Sequence, residues 1–318
     1  MIGAPQLTDH HKNLLAAIPP AEQALETLTA ERFLTVGTAN GDLEGLCFDR
    51  AGDLFFTAIQ TGRIYKLDMK TMHLRVFKEL GGDVRPCALK IHRDGRLFVA
   101  CADSNEGGKV LVLSPEGEDL ATVAQGGGYI IDDLVFDSEG GFYFTDLAGS
   151  TANPNGGVYY VDPMFEHVKP VLKGLNGANG VALSPAGDML WVTEHGANKL
   201  HAVKLGTDHV SIPFSSSSVA YYFCGWEGPD SCSVDSEGNL YVALFRQGRY
   251  LVFNAMGVPV RQILIPERAE GRMLLTTHPM LRPGTRELFL TASDEATHET
   301  ALYVSEGLAP AYTSFQFQ

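Results

Sequence analysis

Residues 228–243, with the sequence GPDSCSVDSEGNLYVA, contain the unit that the rest of the chain repeats. The pattern predicts a short strand, a tight turn and a second strand, because apolar residues alternate on both sides of the turn and Gly238 supplies the backbone freedom that the turn needs. The acidic residue Asp230 stands near the start of the first strand, five positions before the turn residue Asp235. In every further copy, the residue five positions before the turn should therefore occupy the equivalent place in its own unit.

Recurrence of this unit along the chain predicts the architecture. The turn glycines of the six copies, of which the last is degenerate, are Gly52, Gly95, Gly140, Gly187, Gly238 and Gly284. They lie 43 to 51 residues apart, which is the period of four-stranded propeller blades. An apolar or aromatic strand follows each turn, and no 3.6-residue period indicates a helical repeat. We therefore predict an all-β fold, a six-bladed β-propeller whose radial closure leaves only short strand edges.

The chain before the first copy predicts a short arm and a closing strand. We expect an N-terminal arm at residues 1–30, partly helical and interrupted by Pro19-Pro20, and a single propeller domain at residues 31–318. The segment 31–36 is typical of a strand, and we expect it to pair with the last blade and close the ring. The first blade should begin near Leu43.

Composition and charge narrow the class of protein and its partners. The chain has 318 residues, of which 45% are hydrophobic, and a formal net charge of −14, which argues against nucleic acid and anionic membranes as partners. No apolar run approaches the about 18 residues of a membrane span, and the N-terminus lacks the apolar core of a secretory signal. The five cysteines lack a CxxC pair, so we expect buried free thiols in a reducing compartment. The sequence therefore predicts a cytoplasmic protein and does not indicate its oligomeric state.

The position five residues before each turn carries the candidate chemistry. In blade order it holds Glu44, Cys87, Asp132, Asn179, Asp230 and Thr277. The first strand of a propeller blade lines the central channel, so these residues should form one ring around the axis. Three carboxylates in one channel raise each other's pKa unless a cation lies between them. Oxygen ligands without a His or a paired Cys favour Ca²⁺ or another hard ion over Zn²⁺; the alternative is that acidic residues before turns are solvated at the rim.

Two further side chains are candidates for contact with a substrate. Tyr222 belongs to the aromatic run 221–223, which either lines a pocket beside a blade entrance or forms part of the core. His278 directly follows the ring position Thr277. Because adjacent strand residues face opposite sides of a sheet, His278 either contacts the substrate or packs between two blades.

Four short motifs contain the polar residues of the ring. They are Leu43-Glu44-Gly45-Leu46, Ile131-Asp132-Asp133-Leu134, Ala178-Asn179-Gly180-Val181 and Glu227-Gly228-Pro229-Asp230-Ser231. In this order and spacing they resemble the motifs of the senescence-marker-protein/gluconolactonase family, and the resemblance covers nearly the whole chain from about Ala30. It implies that a catalytic divalent ion is held by Glu44, Asp132, Asn179 and Asp230. It also implies that Ser231 contributes to the same site and that Asp230 is the acid and base.

The resemblance further implies a calcium-dependent lactonase that hydrolyses a small-molecule lactone by attack of metal-activated water. The ion would polarise the lactone carbonyl, while Asp230 would take the proton of the water and return it to the leaving ring oxygen. The sequence has no Gly-x-Ser-x-Gly motif to supply a serine nucleophile. The alternative is a non-catalytic calcium-binding or interaction propeller, because one fold serves many functions.

The family's second, structural calcium site is matched only in part. Asn105, Gly107 and Tyr129 match it, whereas Ala124 and Gly127 stand where an acidic side chain and a hydroxyl are needed. We therefore assign one catalytic Ca²⁺ and leave a second site unassigned.

Overall fold

The computed structural model of the protein describes residues 16–81, 83–103 and 107–318. Within these ranges the regular structure consists of β-strands and short 3-10 helices, and the strands form six sheets. Each sheet is one blade of a six-bladed β-propeller, which confirms the prediction from the repeated unit. Among the described residues, no helix has both the length and the apolar character that crossing a membrane requires.

The blades follow one another around the ring in chain order. Two strands precede the first blade: β1 (Glu26–Thr29) and β2 (Glu31–Gly37). The first blade contains β3 (Leu43–Phe48), β4 (Leu54–Ala58), β5 (Arg63–Asp68) and β6 (His73–Glu79). The second contains β7 (Val84–Ile91), β8 (Leu97–Asp103), β9 (Lys109–Leu113) and β10 (Asp119–Val123). The third contains β11 (Ile131–Phe136), β12 (Phe142–Asp146), β13 (Gly156–Val161) and β14 (Val168–Leu175).

The second half of the ring continues the same order. The fourth blade contains β15 (Ala178–Leu183), β16 (Met189–Glu194), β17 (Lys199–Lys204) and β18 (Ser217–Tyr222). The fifth contains β19 (Pro229–Val234), β20 (Leu240–Leu244), β21 (Arg249–Phe253) and β22 (Pro259–Leu264). The sixth contains β23 (Leu275–Leu281), β24 (Glu287–Ser293) and β25 (Thr300–Glu306). The 3-10 helices are Pro20–Glu22, His195–Ala197, Pro266–Glu270 and Phe315–Phe317.

The turn of the repeated unit is built as its residues predict. Between β19 and β20, Oδ1 of Asp235 accepts hydrogen bonds from the backbone N–H groups of Glu237 and Asn239, at 3.0 and 2.9 Å. Gly238 has a φ of +80°, a conformation that favours glycine. The core lies between neighbouring blades, where both sheets contribute to shared buried clusters, as Val158 of the third blade and Val192 of the fourth do.

The ring closes as the segment after the arm predicts. Strand β2 pairs antiparallel with β25 and forms the outermost strand of the sixth blade. The first blade begins at Leu43, as expected. The innermost strands contact one another around the axis, and β23 of the sixth blade contacts β3 of the first. The sixth blade therefore combines β2, from the start of the described chain, with β23, β24 and β25, from its end.

The described end of the N-terminal arm differs from the helical expectation. Pro20–Glu22 is only a 3-10 helix, and β1 adds a parallel fifth strand beside β22 at the outer edge of the fifth blade. The buried carboxylate of Glu22 pairs with the buried guanidinium of Arg249 and accepts a hydrogen bond of 2.6 Å from the Tyr221 hydroxyl. Pairing with the open sheet edge and the buried ion pair stabilise the extended conformation of this end of the arm, and they outweigh the local helix propensity.

Each innermost strand carries a β-bulge at its ring position. The register of β3 against β4 shifts between Glu44 and Cys47, and that of β19 against β20 shifts between Pro229 and Cys232. The other innermost strands shift at the equivalent place. A bulge removes a residue from the hydrogen-bonded ladder and re-aims its side chain. The six bulges therefore set the direction of the ring side chains and free their backbone groups for other partners.

Candidate active site

The ring positions lie near the starts of the innermost strands, at the bulges. Glu44, Cys87, Asn179, Asp230 and Thr277 are buried, and Asp132 is partly exposed. The carboxyl groups of Glu44, Asp132 and Asp230 are close enough to act on each other electrostatically. The structure thus brings together three carboxylates that come from the first, third and fifth blades.

Glu44 and Asp230 meet directly. Their carboxyl groups lie within hydrogen-bonding distance of each other. The Ser231 hydroxyl donates to Oε2 of Glu44 at 3.4 Å. Burial, together with the charges of the neighbouring carboxylates, raises the pKa of both acids well above the ordinary range. This part of the ring therefore favours either a shared proton or a bound cation.

Asp132 is the third carboxylate and lies beside Cys87, whose thiol donates to the Arg85 carbonyl at 3.4 Å. Burial and the adjacent charge of Asp133 raise the pKa of Asp132 to about 7, and the thiol opposes part of that shift. Burial also raises the pKa of the Cys87 thiol well above its ordinary value, so Cys87 is a neutral donor. Asp132 therefore changes its charge near neutral pH, and binding of a cation at the ring would release protons.

Asn179 presents an unpaired acceptor. Its Oδ1 is buried and has no hydrogen-bond partner among the described residues, whereas its backbone carbonyl accepts from the Thr145 hydroxyl. Leaving a buried acceptor unsatisfied costs about 1–3 kcal/mol. Amide oxygens are ligands of Ca²⁺ in proteins. The unpaired oxygen therefore favours a bound group at this position.

His278 lies directly behind Glu44. The side chain is 0% exposed, and its Nδ1 is 3.1 Å from Oε2 of Glu44. Burial lowers the pKa of His278 well below its ordinary value, so a neutral imidazole with its proton on Nδ1 can donate to Glu44. The Nε2 atom has no partner among the described residues. His278 therefore holds Glu44, and its predicted contact with a substrate, which would use Nε2, stays a prediction.

The two remaining candidate residues, Thr277 and Tyr222, lie in different surroundings from each other. The Thr277 hydroxyl donates to the Leu43 carbonyl at 2.6 Å and lies 2.6 Å from Oγ1 of Thr291, so it is already satisfied within the protein. Tyr222 is 64% exposed at the end of β18, whereas the adjacent Phe223 is buried. The aromatic run is thus divided between surface and core, and the contact of Tyr222 with a substrate stays a prediction.

Sequence reasoning missed a layer of threonines on the second strands of several blades. The Thr193 hydroxyl donates to the Asp230 carbonyl and accepts from the Gly180 N–H, both at 2.7 Å. Thr145 likewise donates to the Asn179 carbonyl and accepts from the N–H of Asp133 at 2.9 Å. These hydroxyls satisfy backbone groups that the bulges remove from the ladders. The signal was a threonine at the same place of the second strand in four repeats, at positions 57, 145, 193 and 291.

The residues of the unassigned second calcium site are described only in part. Asn105 lies outside the described residues. The Gly108 N–H donates to the Tyr129 carbonyl at 2.5 Å, so the segments that carry Gly107 and Tyr129 meet. These contacts do not change the assignment.

The described residues contain no group of three His, Cys, Asp or Glu side chains already arranged to hold a metal ion. The ring nevertheless fits a hard cation by its chemistry. It offers three mutually repelling carboxylates, the unpaired Oδ1 of Asn179 and the Ser231 hydroxyl, all of them oxygen donors. A cation between them would offset the repulsion that raises their pKa values.

A family model and a curated relative each match most of the chain. The model of the SMP-30/gluconolactonase/LRE-like region matches residues 43–294. The chain is 46% identical over 303 residues to the protein named lactonase drp35 of Staphylococcus aureus (strain USA300), which covers 94% of this chain and 93% of that protein.

Solved structures agree on the fold. A luciferin-regenerating enzyme superposes with a TM-score of 0.71 at 17% identity, covering 89% of this chain and 98% of that one. A calcium-binding protein, regucalcin, from Agrobacterium tumefaciens str. C58 superposes with a TM-score of 0.70 at 18% identity, covering 90% and 99%. At such low identity these two structures support the propeller fold alone.

Proposed function

Because the chain belongs to the SMP-30/gluconolactonase/LRE-like family, we propose that it is a calcium-dependent lactonase acting on a small-molecule lactone. The activity is suggested by a relative of 46% identity that is named a lactonase. One observation carries the proposal beyond the family: carboxylates from three separate blades act on one another electrostatically, and Asn179, at the equivalent position of the fourth blade, has a buried amide oxygen without a partner among the described residues. An interaction propeller that binds no cation does not need this arrangement, which is unfavourable without a cation.

We assign the ion to Glu44, Asp132, Asn179 and Asp230, with Ser231 contributing to the same site. The donor set consists of oxygens only, which suits Ca²⁺. When bound, the ion supplies a Lewis acid that polarises the lactone carbonyl and activates water. His278 keeps Glu44 in place through the contact of 3.1 Å between its Nδ1 and Oε2 of Glu44.

Asp230 is proposed as the acid and base. Its Oδ1 accepts a hydrogen bond of 2.9 Å from the Ser231 N–H, which fixes the orientation of the carboxyl group. A water oxygen attacks the carbonyl carbon of the lactone, and Asp230 takes a proton from that water. The bond between this carbon and the ring oxygen then breaks. Asp230 returns the proton to the ring oxygen, and the product is a hydroxy acid.

Further parts of the proposal concern the substrate and the compartment. We propose that His278, through Nε2, and the exposed ring of Tyr222 contact the lactone. A net charge of −14 disfavours nucleic acid and anionic membranes as partners. Cys47, Cys87 and Cys232 are buried thiols outside any disulfide, which favours a reducing cytoplasm.

The experiment is a panel of small lactones, including an aliphatic, an aromatic and a sugar lactone, assayed with calcium-loaded protein. We expect at least one lactone to be hydrolysed, and we expect Asn179→Leu, which removes the amide oxygen at similar volume, to lose both bound calcium and activity. An absence of hydrolysis across the panel with calcium still bound would contradict the enzyme and favour the calcium-binding scaffold. Hydrolysis unaffected by Asn179→Leu would contradict the assigned site.

A further inference from the structure

A second ring lies three residues further along the innermost strands, deeper in the channel than the carboxylates. It consists of Cys47, Lys90, Val135, Ala182, Ser233 and Met280. Because the bulge sets the three steps from Glu44 to Cys47 against only two steps on β4, this layer is roughly 7 Å from the first ring at about 3.3 Å per residue. All six residues line a cavity of about 110 Å³. This cavity is separate from the proposed calcium site.

The walls of the cavity are apolar apart from a few groups. Phe48, Phe136 and Leu183 join the side chains of the second ring in lining it. Residues 311–317 of the C-terminal segment close its outer side, where the Phe315 ring packs against Phe136 at a centroid distance of 5.7 Å. At about 110 Å³ the cavity is smaller than the about 150 Å³ that holds benzene, so it suits a hydrocarbon group of fewer than six carbons.

Lys90 is the only Lys or Arg among the described residues that line the cavity. Its Nζ lies 3.7 Å from Oδ1 of Asp133, which is an ion-pair distance but too long for a hydrogen bond. Asp133 is already satisfied, because its oxygens accept from the N–H groups of Leu134 at 2.8 Å and Val181 at 3.1 Å. The ammonium of Lys90 therefore has donor capacity left for an anion.

Two buried oxygens at the same cavity also have no partner. These are Oγ of Ser233 and Oε1 of Gln316, both unpaired among the described residues. The Gln316 side chain is 4% exposed, and its Nε2 is held by the Phe48 carbonyl at 2.7 Å. The Ser233 hydroxyl can donate to an anion and adds a second donor beside Lys90, whereas Oε1 of Gln316 only accepts and gains no partner from a carboxylate.

We propose that this cavity is a binding site for a small apolar carboxylate, with the carboxylate on Lys90 and a chain of about two to four carbons along the apolar walls. The ammonium of Lys90 is the single cation of the described lining and is shared with Asp133, so the cavity admits no more than one carboxylate. A phosphate or a sugar acid fits less well, because each would place further polar groups against Val135, Ala182 and Met280. The site does not depend on the proposed lactonase activity.

The methyl group of Met280, which lines the cavity, reports directly on binding there. In calcium-loaded protein labelled with [methyl-¹³C]methionine, we expect the Met280 methyl resonance, assigned with Met280→Leu, to shift saturably with butyrate. We expect 1-butanol to bind at least about tenfold more weakly, because it lacks the charge, and butylammonium not to bind. Equal shifts with all three probes, or no shift with butyrate, would overturn the proposal.

Variants locate the binding. The double change Lys90→Met/Asp133→Asn removes the cation without leaving a buried carboxylate unpaired, and we expect it to abolish the preference for butyrate over 1-butanol. Ala182→Leu fills the cavity and should remove binding of both, whereas the exposed Lys173→Met should change neither. If butyrate shifts Met280 equally in the double variant, it binds elsewhere, as at the calcium ion, and the proposal fails. Should the double variant not fold, Ala182→Leu and the probe series still decide the question.

Discussion

Removal of divalent ions should make the stability of the protein fall as the pH rises from about 4 to about 7. One cause is Asp132, whose pKa is raised by burial and by the charge of Asp133 from 3.8 to about 7, and the raised pKa values of Glu44 and Asp230 act in the same direction. An acid with a raised pKa in the folded state stabilises the fold below its unfolded pKa. That contribution is lost as the pH rises to the folded value. The window for this loss is therefore between pH 4 and pH 7.

The magnitude follows from the size of the shift. A rise of about 3 pKa units corresponds to about 4 kcal/mol at 1.36 kcal/mol per unit. Asp132 is partly exposed, so contact with channel water reduces this value, and we expect about 2–4 kcal/mol. For a chain of this length, such a change lowers Tm by about 4–8 °C. His278 acts in the opposite direction, because burial lowers its pKa and its contribution is lost as the pH falls below about 6.5.

Comparison of the parent with Asp132→Asn isolates the contribution of Asp132 to the thermal stability. Thermal unfolding is followed in metal-free buffer at pH 4.5 and pH 7.5 for the parent, Asp132→Asn and the exposed control Glu116→Gln. We expect Asp132→Asn to gain about 4–8 °C relative to the parent at pH 7.5 and little at pH 4.5, and we expect Glu116→Gln to follow the parent. Added Ca²⁺ should stabilise the parent more at pH 7.5 than at pH 4.5. An equal effect of Asp132→Asn at both pH values would refute the reasoning.

Three substitutions separate the roles within the ring. At saturating Ca²⁺, Asp230→Asn should lower kcat by roughly 10²-fold or more while calcium still binds, and recovery to near the parent rate would show that another group carries the proton. Glu44→Gln should act mainly through metal affinity, so excess Ca²⁺ should restore much of its activity, and a rate that stays low with calcium bound would contradict this role. His278→Phe removes the hydrogen bond of 3.1 Å to Glu44 and should weaken calcium binding by about 10-fold or more with kcat at saturation little changed. Unchanged calcium affinity of His278→Phe, measured by titration calorimetry beside His278→Gln, would show that Glu44 does not need this support.

The fold was predictable because each blade contains the same local chemistry. A turn glycine such as Gly238, with a φ of +80°, recurs at a fixed period, and the period alone indicates propeller blades. Equivalent residues of equivalent strands then converge by symmetry, which is why Glu44, Asp132 and Asp230 could be grouped from the sequence.

Other features depend on contacts that no local pattern encodes. The bulges place consecutive residues outside simple alternation, so His278 lies behind Glu44 although it follows a ring position. The arm forms β1 because Glu22 makes an ion pair with Arg249, which lies more than two hundred residues away in the sequence. The cavity beside Lys90 depends on how the C-terminal segment packs against the channel, which sequence spacing does not reveal.

The central claim is that a calcium ion held by the ring carries out lactone hydrolysis. The most direct measurement is to strip the parent protein of divalent ions, return Ca²⁺ in steps, and record bound calcium and the rate of lactone hydrolysis in the same samples. We predict that the stripped protein does not hydrolyse the lactone and that the rate rises in proportion to calcium bound at the ring. A full rate in protein shown to be metal-free would contradict the account.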